Sequence, residues 1–314
     1  MQSYSLIAPA KINLYLEIVG DRLDGFHELI MILQSIELAD RVDIRPSDTD
    51  NIYIYCDHPQ VPTDETNLAY RAAQLMCDTF PDVYANYGGV GIRITKNIPV
   101  AAGLAGGSSN AAAVLVGMDL LWNLGLTQPE IRNLAAKLGS DVPFCVSGGT
   151  TIATGRGEKL DDIRHLRDIW VVLAKYQNIS VATPWAYQTY RQQYGHTYVS
   201  GAIDIESRMA KISSIPLVNA IMQQNSQEIG KLLYNDLEKV VMPAHPQVEA
   251  LKSAFAARDV LGTMMSGSGP TVFALCDSKE RAIAVSQEVK AEIADPLLEF
   301  WTTKLTTSGI QIKP

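Results

Sequence analysis

The chain of 314 residues carries 34 Asp and Glu against 26 Lys and Arg, a formal net charge of -8 at pH 7. That negative balance disfavours a nucleic-acid or anionic-membrane partner, yet it admits a small anion, which backbone N–H groups can hold with few cations. At 47% hydrophobic and 19% charged residues, with no low-complexity tract, the composition excludes extended disorder and suits two domains of ordinary size.

In chain order, the opening segment MQSYSLIAPAKINLYL has neither the basic flank and apolar core of a signal peptide nor the Arg- and Ser-rich pattern of a transit peptide. A cytoplasmic protein is therefore expected. Strand-like runs follow at Ser5 to Ala8, Ile12 to Val19, Leu29 to Leu38, Arg41 to Arg45 and Asn51 to Tyr55, with Asp, Gly and Pro between them. Apolar residues at helical spacing predict a helix from Thr66 to Phe80, ended by Pro81.

A strand from Gly91 to Lys96 runs into the stretch IPVAAGLAGGSSNAAA and an apolar helical run, Ala111 to Leu124, stopped by Gly125. The longest apolar part of that run, Ala111 to Leu121, is broken by Asp119 and is too short for a membrane span. Thr127 and Glu130 have the spacing of a capping box and open another helix, closed by Gly139. Strands return from Gly148 to Lys175 around GRGEKLDD, which suggests a division into residues 1–155 and 156–314. Residues Tyr187 to Gly201 are polar and tyrosine-rich and read as a surface loop or a lid. The remainder is helical with Asn and Pro breaks until VLGTMMSGSGPTVFAL, which reads as strand, glycine turn, strand. Strands and helices mix without strict βα alternation, so the fold class is α+β. Cys56, Cys77, Cys145, Cys276 and the histidines are scattered, which points to reduced core thiols and to no metal cluster.

Five stretches could carry chemistry. From Gly103 to Ser109 the sequence GLAGGSS lets several N–H groups point inward together, and the helix that follows adds the positive end of its dipole. No lysine follows these glycines, so this is not a Walker A loop, and the same residues can form a helix entry that binds nothing. Lys11 and Asn13, two apart on a strand, share a face and can reach one site, or can both be solvated. Asp141, in a segment that Pro143 is expected to hold extended, is either a turn residue or a carboxylate presented to a substrate hydroxyl. Beyond the Asp24-Gly25 turn, Phe26 and His27 can stack on and hydrogen-bond a ring, or can be a core and a surface residue. Met265 to Phe273 can be a tight hairpin and nothing more.

In order and rough spacing, PAKINLYLEI, P-x-x-x-G-L-A-G-G-S-S and SGSGPTVFAL resemble the three motifs of the GHMP small-molecule kinases. DGFHEL and GSDVPFCVSGGT resemble the branch of that family whose acceptor is a cytidine diphosphate derivative. The resemblance implies a two-domain α+β fold with nucleotide and acceptor meeting in the cleft between domains, ATP as donor, and Mg2+ held mostly by phosphates and water. It assigns the ATP phosphates to Pro99, Val100, Ala101, Ala102, Gly103, Leu104, Ala105, Gly106, Gly107, Ser108 and Ser109, and the adenosine to Asn67 and Lys96. Catalysis falls to Lys11 and Asp141, with Asn13 orienting the hydroxyl. At the acceptor end His27 matches the residue that reads the base, while Phe26 and Tyr187, beyond Thr183 and Pro184, would sandwich it.

There are departures from the family pattern. Phe26 stands where tyrosine is common, and Ala105 and Asn110 where glycine and aspartate are frequent; alanine at position 105 is strained if the loop needs positive φ there. Kinases of the same family acting on mevalonate, homoserine or a sugar, and a nucleotide-binding member without catalysis, are the alternative readings. The DGFH and SDVPFC segments argue against the first, and the presence of both Lys11 and Asp141 against the second. No heptad stripe marks an oligomer interface.

Overall fold

A computed structural model describes residues 3–47, 49–199 and 201–313. Two long strands, β1 (Tyr4–Asp21) and β2 (His27–Pro46), pair antiparallel and form the spine of the molecule. The sequence pattern breaks each into two shorter strands; the structure joins them. Pro9 has no N–H for the ladder, and the register shifts between Pro9 and Ala10 to accommodate it. A second shift between Asn13 and Tyr15 leaves Lys11 and Asn13 bracketed by two irregularities, the kind of local twist that re-aims side chains.

Next come β3 (Ile52–Cys56), α1 (Leu68–Thr79), α2 (Pro81–Tyr87) and β4 (Val90–Thr95), with β3 parallel to β4 and β4 antiparallel to β2. Then follow α3 (Gly106–Trp122), α4 (Gln128–Ala136), α5 (Val142–Ser147), β5 (Thr150–Gly155) and β6 (Lys159–Asp162), β5 pairing with both β2 and β6. Helix α3 is the buried centre of this half. Gly117 lets it lie close on the sheet, since a Cβ there would fall 2.3 Å from Ile44 Cδ1 and 2.7 Å from Leu6 Cδ1. Leu6, Val42, Ile44 and Met118 are fully buried around it, each contributing about 1.5–3 kcal/mol relative to exposure.

Two sequence expectations change here. Helix α3 begins at Gly106 and not at Ala111, because the glycines and serines themselves take helical backbone, and it ends at Trp122 because Asn123 adopts the left-handed conformation ahead of Gly125. Pro143 does not hold Asp141 in an extended segment. It lies in the first turn of α5, where its fixed φ and missing N–H suit a helix start, and Asp141 is the N-cap with helical φ and ψ.

The second half comprises β7 (Trp170–Tyr176), α6 (Thr183–Tyr194), α7 (Ala202–Met209), α8 (Pro216–Met222), α9 (Ser226–Lys231) and β8 (Tyr234–Asn235). After these come α10 (Glu238–Ala244), α11 (Pro246–Ala256), β9 (Gly262–Met265), β10 (Val272–Cys276), α12 (Lys279–Ile293), β11 (Leu298–Lys304) and β12 (Gln311–Ile312). Strands β11, β7, β10 and β9 form an antiparallel sheet in that order. Along β7 the faces alternate. Val172 and Ala174 join the core that includes α11 and α12, while Val171 and Leu173 cluster with Ile12, Leu14, Ile30 and Ile32 of the first sheet. Strands β8 and β12, from the second half of the chain, pair with β1 and so belong to the first sheet, and the fold is α+β.

Most of the tyrosine-rich segment expected as a surface loop is helical. Tyr187, Tyr190 and Tyr194 recur at helical spacing on and beside one face of α6, and Tyr190, 2% exposed, stacks on Tyr194 at 5.1 Å. Ser200, near its end, lies outside the described residues. No helix among the described residues is long and apolar enough to cross a membrane.

Candidate active site

The middle of β1, the loop before α3 and the turn between β9 and β10 meet at one place. The Lys11 N–H donates to the Leu104 carbonyl at 3.1 Å, and Ser266 Oγ donates to the Gly103 carbonyl at 3.0 Å. A Cβ on Gly267 would lie 3.2 Å from Gly103 O, 3.3 Å from Asn13 Oδ1 and 3.5 Å from Lys11 Nζ. The second glycine turn, which by sequence can be a plain hairpin, is therefore a wall of the site. Asn235 holds it from beneath, donating through Nδ2 to the carbonyls of Met265 and Gly267, both at 2.8 Å, and Glu238 accepts the Met265 N–H at 2.8 Å. Sequence reasoning missed Asn235 and Glu238. The one signal was an Asn-Asp pair placed just ahead of a helix.

In the first glycine loop φ is +51° at Ala101, +72° at Gly103 and +56° at Ala105, so the chain alternates in hand and curls its N–H groups toward one point. Two of the three positions are alanine, and each stores about 1–2 kcal/mol of backbone strain. Helix α3 starts at once, and the first N–H groups of a helix have no acceptor within it, so Gly106, Gly107 and Ser108 extend the same donor surface. Ser109 does not. Its hydroxyl donates to the Pro9 carbonyl at 2.7 Å, its N–H to Ala105, and it is fully buried, so the expectation that it faces the phosphates is corrected.

These elements surround a cavity of about 840 Å³. Lys11, Asn13, Phe26, His27, Asn67, Lys96, Asp141, Thr183 and Tyr187 line it together with residues 99–108. Lys11 is 4% exposed; its ammonium donates to Asn13 Oδ1 at 2.7 Å and stands 3.6 Å from Asp141 Oδ2. A cation, an amide and a carboxylate thus converge beside the glycine loop, within reach of one hydroxyl.

Asn67 and Lys96 are in the wall, but their polar atoms are already engaged. Asn67 caps α1 by accepting from Ala69 at 2.9 Å and donates to the Pro62 carbonyl at 2.6 Å, while Lys96 pairs with Asp40. Each still carries an N–H beyond these bonds, the second of the Asn67 amide and at least one of the Lys96 ammonium.

At the opposite end, Thr183 Oγ1 and Ser268 Oγ are 2.9 Å apart and join the start of α6 to the second glycine turn. The resemblance places a base between Tyr187 and Phe26; in the structure Tyr187 also lies against His27, with centroids 5.2 Å apart. Phe26 is 50% exposed, with the Arg156 guanidinium 4.9 Å over its ring. Burial pushes the His27 pKa below its ordinary value, partly opposed by Asp21, and burial raises that of the Tyr187 phenol, so both rings stay neutral near pH 7.

Arg156 and Arg191 also line the cavity, and both escaped the sequence reading; Arg191 lies one helical turn beyond Tyr187 on α6. With Lys11 and Lys96 they make four cationic side chains against a single carboxylate, Asp141, in a chain of net charge -8. The lining turns cationic groups toward a ligand and suits an anionic one, while each cation also has a carboxylate beside it: Asp141 for Lys11, Asp40 for Lys96, Glu158 for Arg156 and Asp21 for Arg191. Among the described residues no group of three or more His, Cys, Asp or Glu could hold a metal ion.

Comparison with known proteins agrees with this geometry. The GHMP kinases N terminal domain family matches residues 67–149, and the GHMP kinases C terminal family matches residues 217–295. Proteins named 4-diphosphocytidyl-2-C-methyl-D-erythritol kinase from Gloeothece citriformis and Nostoc punctiforme are each 59% identical over 313 residues, spanning 100% and 99% of this chain and 99% of their own lengths. A crystal structure of 4-(cytidine 5'-diphospho)-2C-methyl-D-erythritol kinase is 28% identical with a TM-score of 0.74, over 96% of this chain and 98% of that one. A chain matched by both halves of the family and by full-length relatives, with two glycine-rich stretches closed around Lys11 and Asp141, belongs to the GHMP kinases.

Proposed function

We propose that the protein is a cytoplasmic enzyme that transfers the terminal phosphoryl group of ATP to the 2-hydroxyl of 4-diphosphocytidyl-2-C-methyl-D-erythritol, a step of the non-mevalonate isoprenoid pathway. The observation that carries this reading is the placement of Lys11 and Asp141, 3.6 Å apart, beside an alternating-hand glycine loop in one cationic cavity. The names of the full-length relatives support the acceptor.

Phosphoryl transfer through a loose transition state needs positioning and charge stabilisation above all. The N–H groups from Ala101 to Ser108 hold the phosphates of ATP. Asp141 takes the proton from the acceptor hydroxyl, and Lys11 steadies the charge that grows on that oxygen. Asn13, already bonded to Lys11, fixes the ammonium and orients the hydroxyl. The cavity would offer magnesium one carboxylate, Asp141, and the Ser108 hydroxyl, with phosphate oxygens and water as its other ligands, and the ion would supply positive charge to the phosphates. Arg156, His27 and Tyr187 form the end suited to a cytidine diphosphate.

The test is ADP release with ATP, magnesium and the cytidine acceptor, set beside mevalonate, homoserine and a sugar. Turnover is expected with the cytidine compound alone, with CDP as a competitive inhibitor, and Asp141→Asn is expected to lower kcat by roughly 10² to 10⁴. Full activity in Asp141→Asn would remove its assigned role, and turnover of another acceptor would move the chain to a different branch of the family.

A further inference from the structure

Strand β1 borders a second cavity, of about 490 Å³, which shares no lining residue with the catalytic one. Lys11, Asn13 and Leu16 line the first, whereas Tyr15 lines the second. Strict alternation would set residue 15 beside 11 and 13 on one face. The register shift between Asn13 and Tyr15 inverts that order, so Leu16 continues the catalytic face and Tyr15 turns to the other. Strand β8 divides in the same way: Tyr234 lines the second cavity, while Asn235 holds the second glycine turn of the catalytic one.

The second cavity joins an apolar part to a cationic one. The rings of Tyr15 and Tyr234 lie 5.4 Å apart, and their hydroxyls already donate to Glu17 and Asp236 at 2.7 and 2.6 Å, so what the pair offers a ligand is ring surface. Leu217, Leu232 and Leu233 complete the apolar part. Arg208, Lys211 and Lys231 supply the cations. Arg208 grips Glu17 through Nε and Nη2, which leaves the two Nη1 hydrogens without a partner among the described residues. Lys231 meets Glu228 at 3.6 Å in an exposed pair that solvent screens, and Lys211 forms no ion pair among the described residues. Neither of the two carboxylates lines the cavity, and three cations against two carboxylates leave it positive in a chain of net charge -8.

We infer that this second cavity is a binding site for a small organic phosphate with an apolar body, the body lying on Tyr15, Tyr234 and the leucines and the phosphate meeting Arg208 and Lys211. The volume is that of a small-molecule site. A guanidinium with one edge already fixed on a carboxylate presents its remaining donors in a set geometry, which matches phosphate oxygens better than a mobile ammonium alone does. The inference goes beyond the proposed function and does not rest on it, since no residue of the catalytic cavity takes part.

Calorimetric titration of the full chain with hexyl phosphate, beside hexanol and inorganic phosphate, tests the site. Hexyl phosphate is expected to bind roughly tenfold or more tighter than either fragment, because burial of two methylenes is worth about that factor. Lys211→Glu, at an exposed position where folding is not at stake, should weaken hexyl phosphate by roughly tenfold and leave hexanol unchanged. Hydrogen exchange with hexyl phosphate bound should slow in residues 208–217 and 231–234 and stay unchanged in residues 99–108. Hexanol binding as tightly as hexyl phosphate, undiminished binding to Lys211→Glu, or no binding at all overturns the inference. Protection confined to residues 99–108 would put the phosphate in the catalytic cavity and overturn it as well. All four results leave the kinase reading where it stands.

Discussion

Lys96 and Asp40 form an ion pair buried beneath the glycine loop, their side chains 5% and 0% exposed. The Asp40 carboxylate also accepts from the N–H groups of Asn97 and Ile98 at 2.7 and 2.9 Å and from Asn110 Nδ2 at 2.8 Å, so all its bonds run to the segment that enters and leaves the loop. A Cβ on Gly106 would sit 3.0 Å from Lys96 Nζ, which places the ammonium directly under the first turn of α3. Asn110, a departure from the aspartate frequent in the family, supplies Asp40 with a donor where a second carboxylate would repel it.

Removing one partner of a buried pair leaves an uncompensated charge. Asp40→Ala is therefore expected to destabilise the protein by about 3–5 kcal/mol, read from the midpoint of urea unfolding. The double replacement Asp40→Leu with Lys96→Met should lose clearly less than the sum of the single changes, since the two residues are directly coupled. Additive losses would mean that the pair does not act as a unit.

Ala105 tests the strain in the loop. Its φ of +56° costs alanine about 1–2 kcal/mol that glycine escapes, while glycine's extra freedom in the unfolded chain returns about 0.4–1 kcal/mol. Ala105→Gly should raise thermal stability slightly, by up to about 1.6 kcal/mol, and Ala105→Val should lower it because a β-branched residue tolerates positive φ least. A fall in melting temperature for the glycine variant would show that the left-handed backbone is not the source of the strain.

The pH dependence of stability carries the signature of His27. Its pKa in the folded protein lies below the ordinary histidine value, so on acidification the unfolded chain takes up the proton first and stability falls as pH drops below about 6.5. Above that pH neither state is protonated and the residue makes no difference. Melting temperatures of the wild type and His27→Gln between pH 8 and pH 5 should run parallel above the transition, with the wild type losing more below it; parallel curves throughout would contradict a buried neutral imidazole.

Local pattern revealed the strands and helices that have one, and concealed what distant contacts decide. Pro9 and Asp40 look like strand breakers in sequence, yet β1 absorbs the first at a register shift and β2 absorbs the second because Ile98, 58 positions away, donates to it. The tyrosines of α6 were legible as a helical stripe once spacing is preferred over polarity. The site follows the same division. Lys11, Asp141 and the glycine loop carry recognisable residue types in a recognisable order, whereas Asn235 and Glu238 reach the site by bonding main-chain atoms of Met265 and Gly267, which no spacing announces. Arg191 was hidden for a related reason, since a surface loop gives no cause to put it on the same wall as Tyr187.

The contact between the two glycine-rich stretches can be broken with a single methyl group. A Cβ on Gly103 would fall 2.3 Å from the Ser266 carbonyl oxygen and 3.1 Å from Gly269 N, and its φ of +72° disfavours any side chain. Because the clash is with main chain, no change of side chain at position 266 can relieve it, and the loops must part around Lys11. Displacement of a catalytic group by about 1 Å lowers rates by as much as 10²-fold, so Gly103→Ala should reduce kcat by roughly 10 to 10² while losing about 1–3 kcal/mol of stability. Steady-state kinetics with both substrates, run alongside thermal melts, separate the two effects. The double variant Gly103→Ala with Ser266→Ala should be no more active than the single one. A Gly103→Ala enzyme with wild-type kcat would mean that the glycine turns do not need their close approach to align Lys11 with Asp141.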